Sequence, residues 1–192
     1  AQIRRWLDAV APTSPQGMGD DCAVVDWPKG KKQILTTDSL SYGQHFDDSV
    51  SAHDAGAKLI KRNLSDIAAM GGRPGEALLN LLSGGDLQID WLAAFFNGIC
   101  ETCQEYDLPI VGGDISTLAN GQFTAVLSLT GYLEKTPLLR KGAQAGDALY
   151  VTGTLGGSLL KKHFNFKPRL TEGQWLAQSI ACSALIDITD GL

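Results

Sequence analysis

The order of hydrophobic periods along the chain restricts the fold more than any other feature. Two helical periods, 51–70 and about 90–106, are interleaved with short apolar runs, and a third helical period lies at 2–10. The apolar runs typical of strands lie at 22–26, 33–37, 76–83, 108–111 and 122–133. The order strand, strand, helix, strand, helix, strand, strand predicts a layered α/β or α+β domain.

The remaining third of the chain differs in composition. Residues 134–146 are charged and contain glycine and proline, which predicts a linker. A second unit, 147–192, then begins with the apolar run DALYVTG, which predicts a strand at 147–153, and continues through glycines into a predicted helix. It stops just after a second predicted strand, 184–188, so we expect this unit to be incomplete. The first domain is predicted to span 1–133.

Bulk composition excludes several classes of protein. The hydrophobic content of 44% predicts a packed core, and the net charge of -5 argues against a nucleic-acid surface. No apolar run reaches the length of a membrane helix, and we expect no membrane partner.

Four cysteines in an apolar chain predict reduced thiols and a cytoplasmic protein. The CxxC at Cys100 and Cys103 lies late in a predicted helix, which favours two buried helical residues over a zinc or redox site.

Short aspartate motifs recur beside small residues, as in GDDCAVV, TTDSL, NLSDIAAMGG, GGDIS and DITDGL. Each motif alone is typical of a turn with a capping aspartate. Together they suggest carboxylates that follow apolar strands, where layered folds often bind ligands. A cluster of carboxylates is tolerable only with cations, and hard oxygen donors favour Mg²⁺. The candidate ligands are Asp21, Asp38, Asp66, Asp114, Asp187 and Asp190.

The motifs also occur in a recognisable order. GDDCAVV, TTDSL with GQHF, RNLSDIAAMGGRP, IVGGD, PLLRKGAQAGDALYVTGTLGGS, PR followed three residues later by glycine, and DITDGL succeed one another over essentially the whole chain. In this the chain resembles the thiamine-monophosphate kinase family of the PurM-like superfamily, which also contains AIR synthetase, selenophosphate synthetase and the hydrogenase maturation protein HypE.

The resemblance implies a fold and a reaction. It implies an α+β, PurM-like N-terminal domain with a mixed sheet, helices on one face, and sheet pairing across a homodimer, followed by the start of an α/β C-terminal domain. It implies phosphoryl transfer from ATP to thiamine monophosphate, giving thiamine diphosphate, with several Mg²⁺ ions. The family residues that hold the thiazole and pyrimidine would follow DITDGL and are absent from this chain.

The resemblance also assigns residues. Metal binding falls to the six aspartates named above together with Thr36 and Thr37. ATP binding falls to Gly113, Asp114, Arg140 and Thr189, and substrate phosphate binding to His45. No general base is expected, because the acceptor phosphate is already ionised. Three alternatives remain open: another ATP-dependent PurM-like enzyme, a truncated non-catalytic dimerisation module, and a simple divalent-cation-binding domain.

Overall fold

The computed structural model describes residues 2–12, 29–179 and 182–189. A short helix α1 (Gln2–Leu7) precedes strand β1 (Lys32–Ser41), helix α2 (Ala52–Ala69), strand β2 (Arg73–Gly84) and helix α3 (Ile89–Glu105). Strands β3 (Ile110–Leu118) and β4 (Phe123–Leu133), a π-type turn (Ser158–Lys162) and helix α4 (Leu170–Ala177) complete the chain. The predicted strand at 22–26 lies outside the described residues.

Four strands form one mixed sheet in the order β1-β4-β2-β3. Strand β4 is antiparallel to both β1 and β2, whereas β2 and β3 run parallel. One row of the register joins Asp38, Leu127, Leu79 and Gly113 across all four strands. The α+β architecture with a mixed sheet is therefore confirmed.

The core lies between the sheet and two long helices that cover one of its faces. Alternate residues of β4 from Phe123 to Leu133 are buried, as expected of a strand with one covered face. Helix α3 reaches the sheet through aromatic rings, since Phe95 and Trp91 contact Phe123 at centroid distances of 5.1 and 4.9 Å. Across the described residues, no helix is both long enough and apolar enough to span a bilayer.

Helix α2 begins and ends where its sequence predicts. The Ser51 hydroxyl accepts a hydrogen bond from the Asp54 amide at 3.0 Å, which caps the N-terminus. At the other end, Gly71 N–H donates to Ala68 O and Gly72 N–H to Ile67 O, the pattern of a Schellman motif. Gly71 has a φ of +71°, a conformation that favours glycine at this position.

Predictions about four strands need correction. Strands β1 and β3 extend to residues 41 and 118, so Asp38 and Asp114 lie within strands and not just beyond them. Backbone pairing with β4 and β2 continues the strands past their apolar runs, because it does not depend on side-chain polarity. No strand forms at 147–153 or at 184–188, because no described strand pairs with the backbone of either segment, and Leu149 is 99% exposed.

Cys100 and Cys103 lie one turn apart on α3 and are buried free thiols, as predicted. Burial raises the pKa of the Cys103 thiol, and the Cys100 Sγ–H donates to Trp6 O at 2.8 Å. These thiols are packing residues.

Helices α2 and α3 approach each other closely through two glycines. A Cβ on Gly56 would lie 2.1 Å from Phe95 O, and one on Gly98 would lie 1.9 Å from His53 O. We expect Gly98→Ala to destabilise the fold by about 1–3 kcal/mol, because the helices would have to separate. Urea unfolding measures this change, and Gly85→Ala, where nothing lies within 4 Å, is the matched control. Equal midpoints for both variants would contradict the packing argument.

Candidate functional site

Asp66 and Thr36 form the centre of the candidate site. Asp66 lies in the last turn of α2, and Thr36 lies on the face of β1 that α2 covers. The Thr36 hydroxyl donates to Asp66 Oδ2 at 2.5 Å. This bond joins the end of the helix to the middle of the strand. It also places two oxygen atoms that could ligate a metal ion side by side.

Asp38 lies two residues beyond Thr36 on the same face of β1. The Arg62 guanidinium contacts it, with Nε 3.4 Å from Asp38 Oδ2, and donates through Nη1 to Ser39 O at 2.9 Å. Arg62 is only 5% exposed, so its charge requires such partners. Sequence reasoning missed Arg62, although its position one turn before Asp66 on α2 could have indicated a role.

Arg140 and Asp187 reach this site through backbone contacts between otherwise irregular segments. Leu138 N–H donates to Met70 O at 3.3 Å, and Leu185 N–H donates to Leu139 O at 2.9 Å. These bonds fasten the predicted linker to the end of α2 and the 182–189 segment to the linker. The result is a cavity of 340 Å³ lined by Ile34, Leu35, Thr36, Asp66, Ile67, Ala69, Met70, Arg140, Leu185, Ile186 and Asp187.

The electrostatics of the cavity centre on Asp66. Burial raises the pKa of this carboxyl, and the negative charges of Asp187 and Asp38 raise it further. The hydrogen bond from Thr36 and the charge of Arg62 act in the opposite direction. The net upward shift means that the fold disfavours the ionised form of Asp66 and that a bound cation would relieve this cost.

Other predicted site residues lie on the opposite face or the far edge of the sheet. Thr37 points away from Asp66, with its hydroxyl donating to Leu127 O at 3.1 Å and lying 3.1 Å from Ser128 Oγ. Asp114 lies on β3, where its amide donates to Asn80 Oδ1 and its carboxylate accepts from Ser116 Oγ. Three interstrand spacings, about 14 Å, separate the Asp38 and Asp114 strands, so one chain does not bring these carboxylates together.

Gly113 has a steric requirement of its own. A Cβ at this position would lie 1.8 Å from Leu79 O, so β3 can approach β2 this closely only with glycine there. The predicted role of Gly113 in ATP binding has no counterpart in these contacts.

The last predicted residues are dispersed. His45 lies in the turn that follows β1, and the Thr189 hydroxyl donates to Asp187 Oδ2 at 3.0 Å. Asp21 and Asp190 lie outside the described residues. In the described part of the chain, no three His, Cys, Asp or Glu side chains are close enough to form a metal site. The oxygen donors of Thr36, Asp66 and Asp187 nevertheless fit a hard cation such as Mg²⁺ in chemical type.

The chain is similar to curated thiamine-monophosphate kinases. It is 39% identical over 94% of its length to that of Rhodopirellula baltica and 34% identical over 99% of its length to that of Escherichia coli K12. The chain spans 59% and 64% of these two relatives, so it corresponds to about three fifths of each.

Two solved structures share its fold. The complex of AaThiL with AMPPCP and TMP matches with a TM-score of 0.76 at 30% identity, covering 97% of this chain and 63% of AaThiL. The hydrogenase maturation protein HypE of E. coli matches with a TM-score of 0.78 at 20% identity, covering 97% of this chain and 64% of HypE, and shows the fold alone.

A family assignment follows from a match that covers more than half of the chain. Residues 19–133 match the family described as AIR synthase related protein, N-terminal domain. This range includes every strand of the sheet and the two long helices that cover it. The chain therefore belongs to the family of AIR synthase related proteins.

Proposed function

We propose that this chain binds ATP and thiamine monophosphate and takes part in direct phosphoryl transfer between them, giving thiamine diphosphate. The observation that carries the proposal is the single cavity that Thr36, Asp66, Arg140 and Asp187 line together. Carboxylates and one guanidinium in a single cavity suit a ligand that brings both phosphate and a divalent cation. The similarity to thiamine-monophosphate kinases over nearly the whole chain supports the substrate.

The residues would act by binding and positioning. Arg140 would donate two parallel hydrogen bonds to phosphate oxygens, and Thr189 would add a hydroxyl beside Asp187. His45 would donate to the acceptor phosphate. Thr36, Asp66 and Asp187 would hold Mg²⁺, whose charge would offset the repulsion between two anionic reactants. The acceptor phosphate is itself the nucleophile, so this proposal needs no general base.

The decisive test is product formation. We expect the chain, incubated with MgATP and thiamine monophosphate, to form thiamine diphosphate, and EDTA to abolish it. Asp187→Asn should lower kcat/KM at least about 100-fold, because it removes a charge from the proposed cation site. Asp8→Asn, which changes an exposed carboxylate away from the cavity, is the control. Absence of both product and MgATP binding would favour the non-catalytic module.

Asp66→Asn tests the proposed cation site without turnover. Because the folded-state pKa of Asp66 is raised, ionisation of this carboxyl destabilises the fold. This destabilisation is absent below the ordinary carboxyl pKa and reaches its full value above the raised pKa. At neutral pH the variant should therefore be more stable than the parent without metal, by at most about 1 kcal/mol, since water screens a half-buried charge.

Thermal melts with and without MgATP complete that test. The parent should gain stability on adding MgATP, and Asp66→Asn should lose most of this gain. At pH 3 the two proteins should have nearly the same stability, because Asp66 of the parent is then largely protonated in both its folded and its unfolded state and carries no charge to destabilise the fold. A variant less stable than the parent at neutral pH, or one with an unchanged response to MgATP, would contradict the assignment.

We also propose a homodimer through the sheet face that the helices leave uncovered. Leu35 on β1 and Leu78 on β2 are 73% and 48% exposed on this face, among the hydroxyls of Thr37 and Ser128. A second copy of the same face would cover both leucines by two-fold symmetry.

Leu78→Asp should convert this dimer to monomer, because it would place a charge in the proposed interface. Sedimentation velocity measures the change. Leu159→Asp, at an exposed leucine away from the sheet, is the control and should leave the dimer intact. A monomeric parent protein would refute the dimer proposal outright.

A further inference from the structure

Lys58 is a buried cation shared between two segments that are distant in sequence. It lies on α2 and is 7% exposed. Its ammonium group donates to His45 O at 2.6 Å and to His163 Nδ1 at 2.9 Å. One lysine therefore joins the turn after β1 to the segment that follows the π-type turn.

The turn that carries His45 fixes the orientation of the His45 imidazole ring. Gly43 N–H donates to Phe46 O at 2.8 Å and His45 N–H to Ser41 O at 2.9 Å, which close the turn. Ser41 N–H also donates to His45 Nδ1 at 3.0 Å. Because Nδ1 accepts, the neutral ring carries its proton on Nε2, and Nε2 is the atom that can donate to a phosphate oxygen.

The contact with Lys58 fixes the tautomer of the His163 ring in the same way. Lysine has donors only, so His163 Nδ1 must accept and its proton lies on Nε2. Burial lowers the pKa of His163 and the charge of Lys58 lowers it further, while Asp47 opposes them. The ring contacts Phe164 edge-on at 4.8 Å, and Phe164 is buried in the core. Residues 163 and 164 thus dock this segment onto the first domain.

We infer that Lys58 and His163 form a positioning pair that holds His45 in the orientation needed to bind the acceptor phosphate. Lys58 fixes the His45 carbonyl, and the Ser41 amide fixes its ring. His163 also accepts a hydrogen bond from Lys58, so docking of the segment around His163 helps to keep the ammonium group in place. The phosphate ligand in this inference rests on the proposed function, whereas the contacts among the three residues do not.

Kinetics test the positioning role. In His163→Ala and Lys58→Met we expect KM for thiamine monophosphate to rise about 10-fold, with kcat and KM for ATP changed less than about 2-fold. Lys58→Arg keeps the charge and should recover part of the loss. His53→Ala removes a surface histidine that contacts Glu101 and should change nothing. An equal loss in kcat and in both KM values would indicate general damage and overturn the inference.

Histidine ring NMR tests the contacts without turnover. The chain has three histidines, so their ring signals can be assigned by single substitution. At neutral pH, His45 and His163 should both show the Nε2–H tautomer, and the His45 signals should shift in His163→Ala but not in His53→Ala. His163→Ala alters an irregular segment and keeps Lys58, so it stays informative if Lys58→Met does not fold.

The two readouts separate the possible failures. An Nδ1–H tautomer at His163, or His45 signals unchanged in His163→Ala, would overturn the positioning pair. Expected NMR results with no thiamine monophosphate binding and no turnover would leave the pair standing and refute the proposed function alone.

Discussion

A polar stripe on helix α2, buried at two of its three residues, is the constraint on which the rest of the structure depends. Lys58, Arg62 and Asp66 follow one another at intervals of four residues and therefore share one face of the helix. Each of the two buried cations must have acceptors, because an unpaired charge away from water is very costly. Both cations have acceptors in β1 or the turn after it, where Arg62 contacts Asp38 and donates to Ser39 O, and Lys58 donates to His45 O. Asp66 in turn accepts a hydrogen bond from the Thr36 hydroxyl of β1. These polar contacts therefore fix the strand against the helix, in addition to the apolar packing of Leu40 and Leu64.

The same stripe accounts for the charge balance of the cavity. Burial, together with the negative charges of Asp187 and Asp38, raises the pKa of Asp66, and the hydrogen bond from Thr36 and the charge of Arg62 offset only part of this rise. An enzyme that binds phosphate through a cation benefits from such an imbalance, since the cost of assembling the carboxylates in the fold is recovered when the cation arrives. A purely structural arrangement would gain nothing from leaving Asp66 with a raised pKa. This difference supports the proposal that the cavity, and not the buried CxxC of α3, binds the ligand.

Sequence reasoning predicted local structure well and spatial relations poorly. The ends of α2 were predictable because Ser51 and Gly71 act through contacts within a few residues. The alternation in β4 was predictable because one covered face imposes a period of two. The 147–153 segment was predicted as a strand and is not one, because a strand exists only where another strand accepts its hydrogen bonds. Arg62 was missed because its partners, Asp38 and Ser39, are more than twenty residues away, and the separation of Asp38 from Asp114 depends on a strand order that no local pattern records.

The position of the stripe on a single helix has a further consequence for the proposed reaction. Lys58 and Asp66 are eight residues apart, about 12 Å along the helix axis. Lys58 holds the turn that presents His45, and Asp66 lines the cavity that contains Arg140 and Asp187. Because a helix of eighteen residues packed on both a sheet and α3 is rigid, these two ends keep a constant separation. Within the described residues, four parts of this arrangement rest on turns or irregular backbone: the turn of His45 and the segments of Arg140, His163 and Asp187. Each of them is attached to α2 or its immediate C-terminus, directly or through one intermediate backbone bond, so the helix sets the geometry for both ends of the proposed transfer.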